Sequence, residues 1–174
     1  LDGTDAVMLS AETASGRYPV EVVETMASIV LAADRSETPG LDQQFLNETF
    51  TRVDQSIAYG ALFTAFHLRC AAIVALTESG STALWMSRHD IDIPIYALTP
   101  SVTTQRRLAL YRNVRPLHFS ITDDRDRALA AAERLLLERS RVKPGELIVL
   151  TCGEPMGQPG GTNTLKIVSV GSFL

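Results

Sequence analysis

Short continuous apolar runs alternate along this chain with longer stretches in which apolar residues recur at helical spacing. The first arrangement suits strands buried on both faces, the second helices that pack by one stripe. Residues 71–76, Ala-Ala-Ile-Val-Ala-Leu, are the plainest run, and residues 94–98 and 114–119 predict two further strands. Ahead of them lies a predicted helix over residues 54–69, with Ile57, Ala58, Ala61, Leu62, Ala65 and Phe66 facing inward and Asp54 as N-cap. Helices over residues 81–89, 103–111 and 123–139 fill the intervals, the last burying Ala128, Ala132, Leu135 and Leu136. Lys143, Pro144 and Gly145 make a turn, after which residues 146–151 and 165–170 read as strands with no helix between them. Strands joined through helices run parallel, whereas a direct return runs antiparallel. The expected fold is α/β: a three-layer α/β/α sandwich with a mixed five-stranded sheet whose last strand is antiparallel.

The opening of the chain differs from the rest. Residues 5–11 form a short apolar segment between Gly3 and Gly16 and predict a buried strand. Pro19 suits a first helical turn, Glu21 and Glu24 favour the positive end of a helix dipole, and Val23, Met26, Ala27, Val30 and Ala33 form one stripe. A helix is expected there, broken at Thr38, Pro39 and Gly40, with residues 37–53 as a polar linker. A chain that opens on Leu1, next to an apolar run, reads as a piece of something longer. A lone strand and helix expose apolar faces, so residues 1–36 are expected to be mobile, docked elsewhere or paired with another chain.

Composition narrows the function classes. With 174 residues, 45% hydrophobic and 21% charged, the chain is a soluble globular domain with a small appendage. Its net charge of -4 offers no basic surface to nucleic acid. No segment reaches the ~18 consecutive apolar residues of a membrane helix, and the N-terminus lacks a signal-peptide pattern, so a cytoplasmic protein without nucleic-acid or membrane partners is expected. Cys70 and Cys152 are too few and too far apart for a disulfide framework and read as buried free thiols. His67, His89 and His118 stand apart from one another and from carboxylates, so no metal site is expected.

Two loops carry the candidate chemistry. Thr77-Glu78-Ser79-Gly80-Ser81-Thr82-Ala83 lies between a buried strand and a helix, where hydroxyls and helix-start N–H groups can converge on one anion. Neither the GxxxxGK[ST] nor the GxGxxG spacing is present, so this is no nucleotide P-loop. Ser79 or Ser81 serves equally as a plain helix cap. The loop with Gly153, Gly157, Gly160 and Gly161 allows close backbone approach and positive φ, either to close over a ligand or merely to reverse the chain. Ser79 lacks a GxSxG elbow and a poised His, which argues against a nucleophile. Trp85 and Met86 read as core or subunit-contact residues, and Arg106, Arg107 and Arg112 as anion, interface or solvated-face residues.

The opening Leu1-Asp2-Gly3-Thr4-Asp5-Ala6-Val7-Met8-Leu9-Ser10-Ala11-Glu12-Thr13-Ala14, with Gly16 and Tyr18-Pro19, resembles the last barrel strand and helix of the pyruvate kinase family. Ala11 stands at the usual glycine. Thr77, Ser79-Gly80 and Thr82-Ala83 resemble that family's effector phosphate loop, and residues 161–165 the start of its terminal strand. The resemblance implies the end of a (β/α)8 barrel over residues 1–36, a linker over 37–53 and an allosteric C-terminal domain over 54–174. It implies a parent enzyme that transfers phosphoryl from phosphoenolpyruvate to ADP in glycolysis, with Mg and K ions, and that is tetrameric when complete. The fragment is expected to be catalytically inactive, with a dimer as its own expected assembly and with no catalytic residue and no ion of its own. A barrel needs about 250 residues and draws its active site from many strands. Ser10 and Glu12 either border that site in the complete enzyme or are structural.

The effector site carries over to Thr77, Ser79, Gly80, Ser81 and Thr82, with Gly153, Gly157, Gly160 and Gly161 in the second loop. The family commonly has Arg where this chain has Ser81. Glu78 and Glu154 put an acid in each loop with no evident cation, which disfavours the roughly four negative charges of fructose bisphosphate. The expected effector is a sugar monophosphate or AMP. The rival readings are a stand-alone phosphate-ester enzyme or binding module, and a dimerisation domain.

Overall fold

The computed structural model describes residues 4–36, 40, 49–120 and 124–172. Its elements are α1 (Ala11–Ala14), α2 (Pro19–Ser36), α3 (Val53–Leu68), β1 (Ala72–Leu76), α4 (Ser81–Ser87), β2 (Ile95–Thr99), α5 (Val102–Leu108), β3 (Val114–His118), α6 (Arg125–Glu138), β4 (Leu147–Gly153) and β5 (Thr162–Ser169). The sheet order is β3-β2-β1-β4-β5. The first four of these strands run parallel, with Val74 opposite Tyr96 and Leu150, while β5 returns antiparallel beside β4.

β1 and β2 are buried at every position, as strands covered on both faces must be. Ile73, Ile95, Ala97 and Val149 face α3, α4 and α5, whereas Val74, Tyr96, Leu98, Ile148 and Leu150 face α6. Small residues bring α3 close to the sheet, since Ala58, Ala61 and Ala65 are fully buried beside Leu62. β3 lies at the edge, where Pro116 removes no central ladder bond. The α/β/α sandwich with an antiparallel last strand is therefore the observed fold.

The order of connections has a consequence for function. The chain leaves β1 over one face toward β2 and β3, then crosses the other face through α6 to reach β4 on the opposite side of β1. The gap between the carboxyl ends of β1 and β4 is thus the topological switch point, where open α/β sheets leave a crevice. Both candidate loops follow those two strand ends.

Several boundaries differ from the sequence reading, each for a local reason. Residues 5–10 form no strand and part of the predicted run is α1, because no strand among the described residues supplies the ladder partners that N–H and C=O groups require. Val7 and Met8 are exposed. Instead Asp5 accepts from Arg88 Nη2 at 2.5 Å and from the Arg112 N–H at 2.7 Å, so this segment is docked on the α4–α5 end of the domain. Arg52, not Asp54, is the N-cap of α3, and Asp54 lies in its first turn. Arg69 closes that helix in the left-handed region, with Cys70 N–H bonded to Ala65 O, which delays β1 by one residue. Most of the predicted linker, and the first residue of the predicted helix over residues 123–139, lie outside the described residues. β5 begins at Thr162, earlier than expected.

Candidate functional site

The β1 end turns sharply over buried ground. Thr77 is almost fully buried, and its Oγ1 accepts the Gly80 N–H at 2.8 Å. Gly80 adopts φ +82° above the fully buried Leu108, a geometry that leaves no room for a side chain. Ser79 Oγ donates to Ser81 Oγ at 3.2 Å, and Ser81 Oγ donates to Asp54 Oδ2 at 3.1 Å. The N-cap of α4 is Gly80, and Ser79 Oγ accepts the N–H of Ser81, the first residue of that helix, at 3.4 Å, so Ser79 takes part in the helix start while Ser81 turns its hydroxyl to Asp54. From beneath, Thr104 Oγ1 donates to Glu78 O at 3.0 Å and Arg107 Nη2 donates to Ser79 O.

The glycine loop is held against this turn. Thr82 Oγ1 and Thr162 Oγ1 share a hydrogen bond at 2.8 Å, both side chains buried. Gly153 stands opposite Thr162, and a Cβ there would lie 2.8 Å from Gly161 O, so the strand ends approach closely only because Gly153 has none. Gly157 and Gly160 take positive φ. Asn163 secures the base of the loop, accepting the Glu154 N–H at 3.0 Å and donating to Glu154 O at 2.7 Å. Between the loops lies a cleft of about 20 Å³ lined by Thr77, Glu78, Gly153, Gly157, Gly160 and Thr162. That is room for about one water.

The charge balance differs from the one read in the sequence. Glu154 is paired with Arg125 of α6 at 2.8 Å, and the fold brings in two further cations that belong to neither loop. One is Arg107. The other is Arg52, whose Nε and Nη2 donate to the two oxygens of Asp54 at 2.9 and 2.8 Å. Asp54 is 2% exposed, and the hydrogen bonds from Arg52 hold its pKa below the usual carboxylate range against the opposing effect of burial, helped by Ser81 and the Gln55 N–H. The absence of a cation near the loops is thus corrected. Arg52 and Arg107 arrive from α3 and α5, with Asp54 and Arg107 lying 27 and 28 positions from their loop partners.

A family model described as "Pyruvate kinase, alpha/beta domain" matches residues 55–168. The chain belongs to the pyruvate kinase family. It is 42% identical over 171 residues to a protein named "Pyruvate kinase II" from Salmonella typhimurium, covering 98% of this chain and 36% of that one. It is 39% identical over 171 residues to "Pyruvate kinase" from Buchnera aphidicola, again covering 98% and 36%. A "Pyruvate kinase" from Staphylococcus epidermidis is 40% identical over 174 residues, covering 98% of this chain and 29% of that protein. The chain spans about a third of the length of these pyruvate kinases.

All the family-derived site residues fall within the matched segment, and the fold brings them together. Thr77, Ser79, Gly80, Ser81 and Thr82 form one turn, and Gly153, Gly157, Gly160 and Gly161 belong to the loop facing it. Ser10 and Glu12 are exposed and bond to each other at the start of α1. The sequence reading gave Arg52 and Asp54 no place in the candidate site and gave Thr162 no partner in it. Asp54 was legible only as a helix-start acid, and Thr162 only as the last residue of the glycine loop and, by resemblance, near the start of the terminal strand. Among the described residues no cluster of three or more His, Cys, Asp or Glu is placed to hold a metal. Cys70 and Cys152 are free and buried, and burial pushes both thiols up.

Proposed function

We propose that this chain is the C-terminal regulatory and assembly portion of a pyruvate kinase. The complete enzyme transfers phosphoryl from phosphoenolpyruvate to ADP, and this portion binds a phosphorylated effector without performing turnover. Residues 1–36 then end the catalytic barrel, residues 37–53 link it, and residues 54–174 sense the effector and support a homo-oligomer, a tetramer in the complete enzyme. The Mg and K ions of the complete enzyme have no place assigned among the donors described here. No described helix is long and apolar enough to cross a membrane, and the cytoplasm is the compartment that accompanies this reading.

The observation that carries the proposal is the convergence of the Thr77–Thr82 turn and the glycine loop at the switch point, latched by Thr82 and Thr162. Hydroxyls and backbone N–H groups there suit phosphate oxygens, and the acid of the glycine loop, Glu154, is already neutralised by Arg125. The effector proposed is a sugar monophosphate or AMP in preference to fructose bisphosphate. Calorimetric titration of the 174-residue chain, and activity titration of the complete enzyme, use a hexose monophosphate, AMP and fructose 1,6-bisphosphate. The monophosphates are expected to bind and to activate at the lower concentration. Preferential activation by the bisphosphate rejects that choice, and turnover by this chain alone rejects the regulatory reading.

A further inference from the structure

Arg52 belongs to neither phosphate loop, yet its guanidinium lies beside Gly160 of the glycine loop and is joined to the β1 turn through Asp54 and Ser81. On one side it is clamped by Asp54, which also accepts from Ser81 Oγ at 3.1 Å and from the Gln55 N–H at 3.0 Å. Ser81 in turn accepts from Ser79, so a continuous chain of polar contacts runs from the guanidinium into the β1 turn. On the other side Arg52 Nη2 lies 3.6 Å from where a Cβ on Gly160 would be, so the glycine loop passes over the guanidinium with only bare backbone. Any side chain at Gly160 would point toward that cation.

The two members of the pair differ in exposure, and the difference decides their roles. Asp54 is 2% exposed and spends its lone pairs on Arg52, Ser81 and Gln55. Arg52 is 53% exposed, and its Nη1 makes no hydrogen bond to the described residues. The carboxylate is therefore a fixed anchor, while the guanidinium keeps an exposed edge beside Gly160 of the glycine loop. A planar guanidinium held in this way is prepared to receive phosphate oxygens as paired N–H donors. The seven residues of α4 include no cation, and Arg107 spends its Nη2 on the carbonyl of Ser79.

We infer that Arg52, oriented by Asp54, is the cation that binds the phosphate of a monophosphate ester entering between the Thr77–Thr82 turn and the glycine loop. This rests on the phosphate-site reading given above. Arg52 is the binding residue, Asp54 the positioning residue, and Ser81 connects the pair to the turn. Binding at Arg52 also bears on the segment before α3, because Arg52 is that helix's N-cap and the chain enters the domain there.

The test uses the 174-residue chain, with glucose 6-phosphate and AMP as calorimetric probes. Arg52→Gln is expected to weaken both by about 10- to 100-fold, the effect of removing a charge-assisted pair. Arg52→Lys, which keeps the charge and loses the fork, is expected to fall between wild type and Arg52→Gln. Asp54→Asn keeps an acceptor for Ser81 but releases the guanidinium, and is expected to weaken binding less than Arg52→Gln does. In the Asp54→Asn background the further loss caused by Arg52→Lys is expected to shrink, because the fork is no longer held. Arg139→Gln removes the same charge from an exposed site at the far end of α6 and is expected to leave affinity within about twofold, as screening at ordinary salt requires. Arg52→Gln leaves the buried Asp54 carboxylate without its ion-pair partner and is expected to lower the thermal midpoint, so the titrations are run well below it, while an unchanged midpoint in Arg52→Lys ties its loss to the site and not to unfolding. If the wild-type chain binds neither probe, the phosphate-site reading fails. If it binds and Arg52→Gln stays within twofold, or Arg139→Gln loses as much, the inference about Arg52 is overturned while that reading stands.

Discussion

Gly80 offers a measurement of how tightly the β1 turn is built. A Cβ at this position would meet Leu108 Cδ2 at 2.9 Å and Cγ at 3.2 Å, and Leu108 is fully buried and cannot readily withdraw. Gly145 has almost the same backbone, φ +85° against +82°, but nothing lies within 4 Å of its absent Cβ. Gly→Ala at either site incurs left-handed strain of about 1–2 kcal/mol, partly offset by about 0.4–1 kcal/mol of lost freedom in the unfolded chain. Only at Gly80 does a methyl also enter a filled core, at a further cost of roughly 1–3 kcal/mol. Gly145→Ala should therefore lose about 1 kcal/mol and Gly80→Ala about 3 kcal/mol. Urea unfolding followed by circular dichroism and by the fluorescence of Trp85, the single tryptophan, measures both. Equal losses at the two glycines would refute the packing argument. The Gly80 N–H also bonds to Thr77 Oγ1, so monophosphate affinity should fall in Gly80→Ala and hold in Gly145→Ala.

Two further predictions concern contacts that join distant parts of the chain. Burial alone would raise the pKa of Asp5, but hydrogen bonds from Arg88 and the Arg112 N–H, with the charges of both arginines, hold it below the ordinary value. A carboxylate depressed in the folded state stabilises above its unfolded pKa and loses that contribution as pH falls through the lower folded value. The stability difference between wild type and Asp5→Asn should be about 0.5–1 kcal/mol and constant from about pH 7 to 5, then shrink below about pH 4. A difference that grows on acidification contradicts the clamp. For the latch, Thr82→Val and Thr162→Val should each cost about 1–3 kcal/mol by orphaning a buried hydroxyl, while the double variant costs about 1 kcal/mol or more below their sum. Additive losses in urea unfolding would show that the two hydroxyls do not depend on each other.

The core of the sandwich was legible because burial on both faces of a parallel strand forces a continuous apolar run, as in Ile73 to Leu76, and a one-sided helix forces a stripe, as in Ala128 to Leu136. The antiparallel return followed from the absence of helical spacing between Thr151 and Leu165. The opening run misled for the same reason that it was noticed. Ala6 to Leu9 have strand-like composition, but a strand exists only with neighbours to bond to, and residues 5–10 have none among the described residues. Asp54 misled differently. An acid at a helix start is a cap by default, yet its carboxylate is drawn into the fold by Arg52 and Ser81.

The turn from Thr77 to Thr82 and the glycines of the facing loop were written in local sequence, since hydroxyl-rich and glycine-rich turns between elements need no distant partner to be recognised. The sequence alone thus determined the layer order, the strand directions and which two loops hold the candidate chemistry. Only the tertiary structure decided that Arg52 and Arg107 supply charge there, that Arg125 cancels Glu154, and that Thr82 latches to Thr162. Periodicity reports which face of an element is buried, while the meeting of side chains from α3, α5 and α6 with the loops depends on crossing from one strand end to another. That information resides in the path of the chain through space and has no repeat along it.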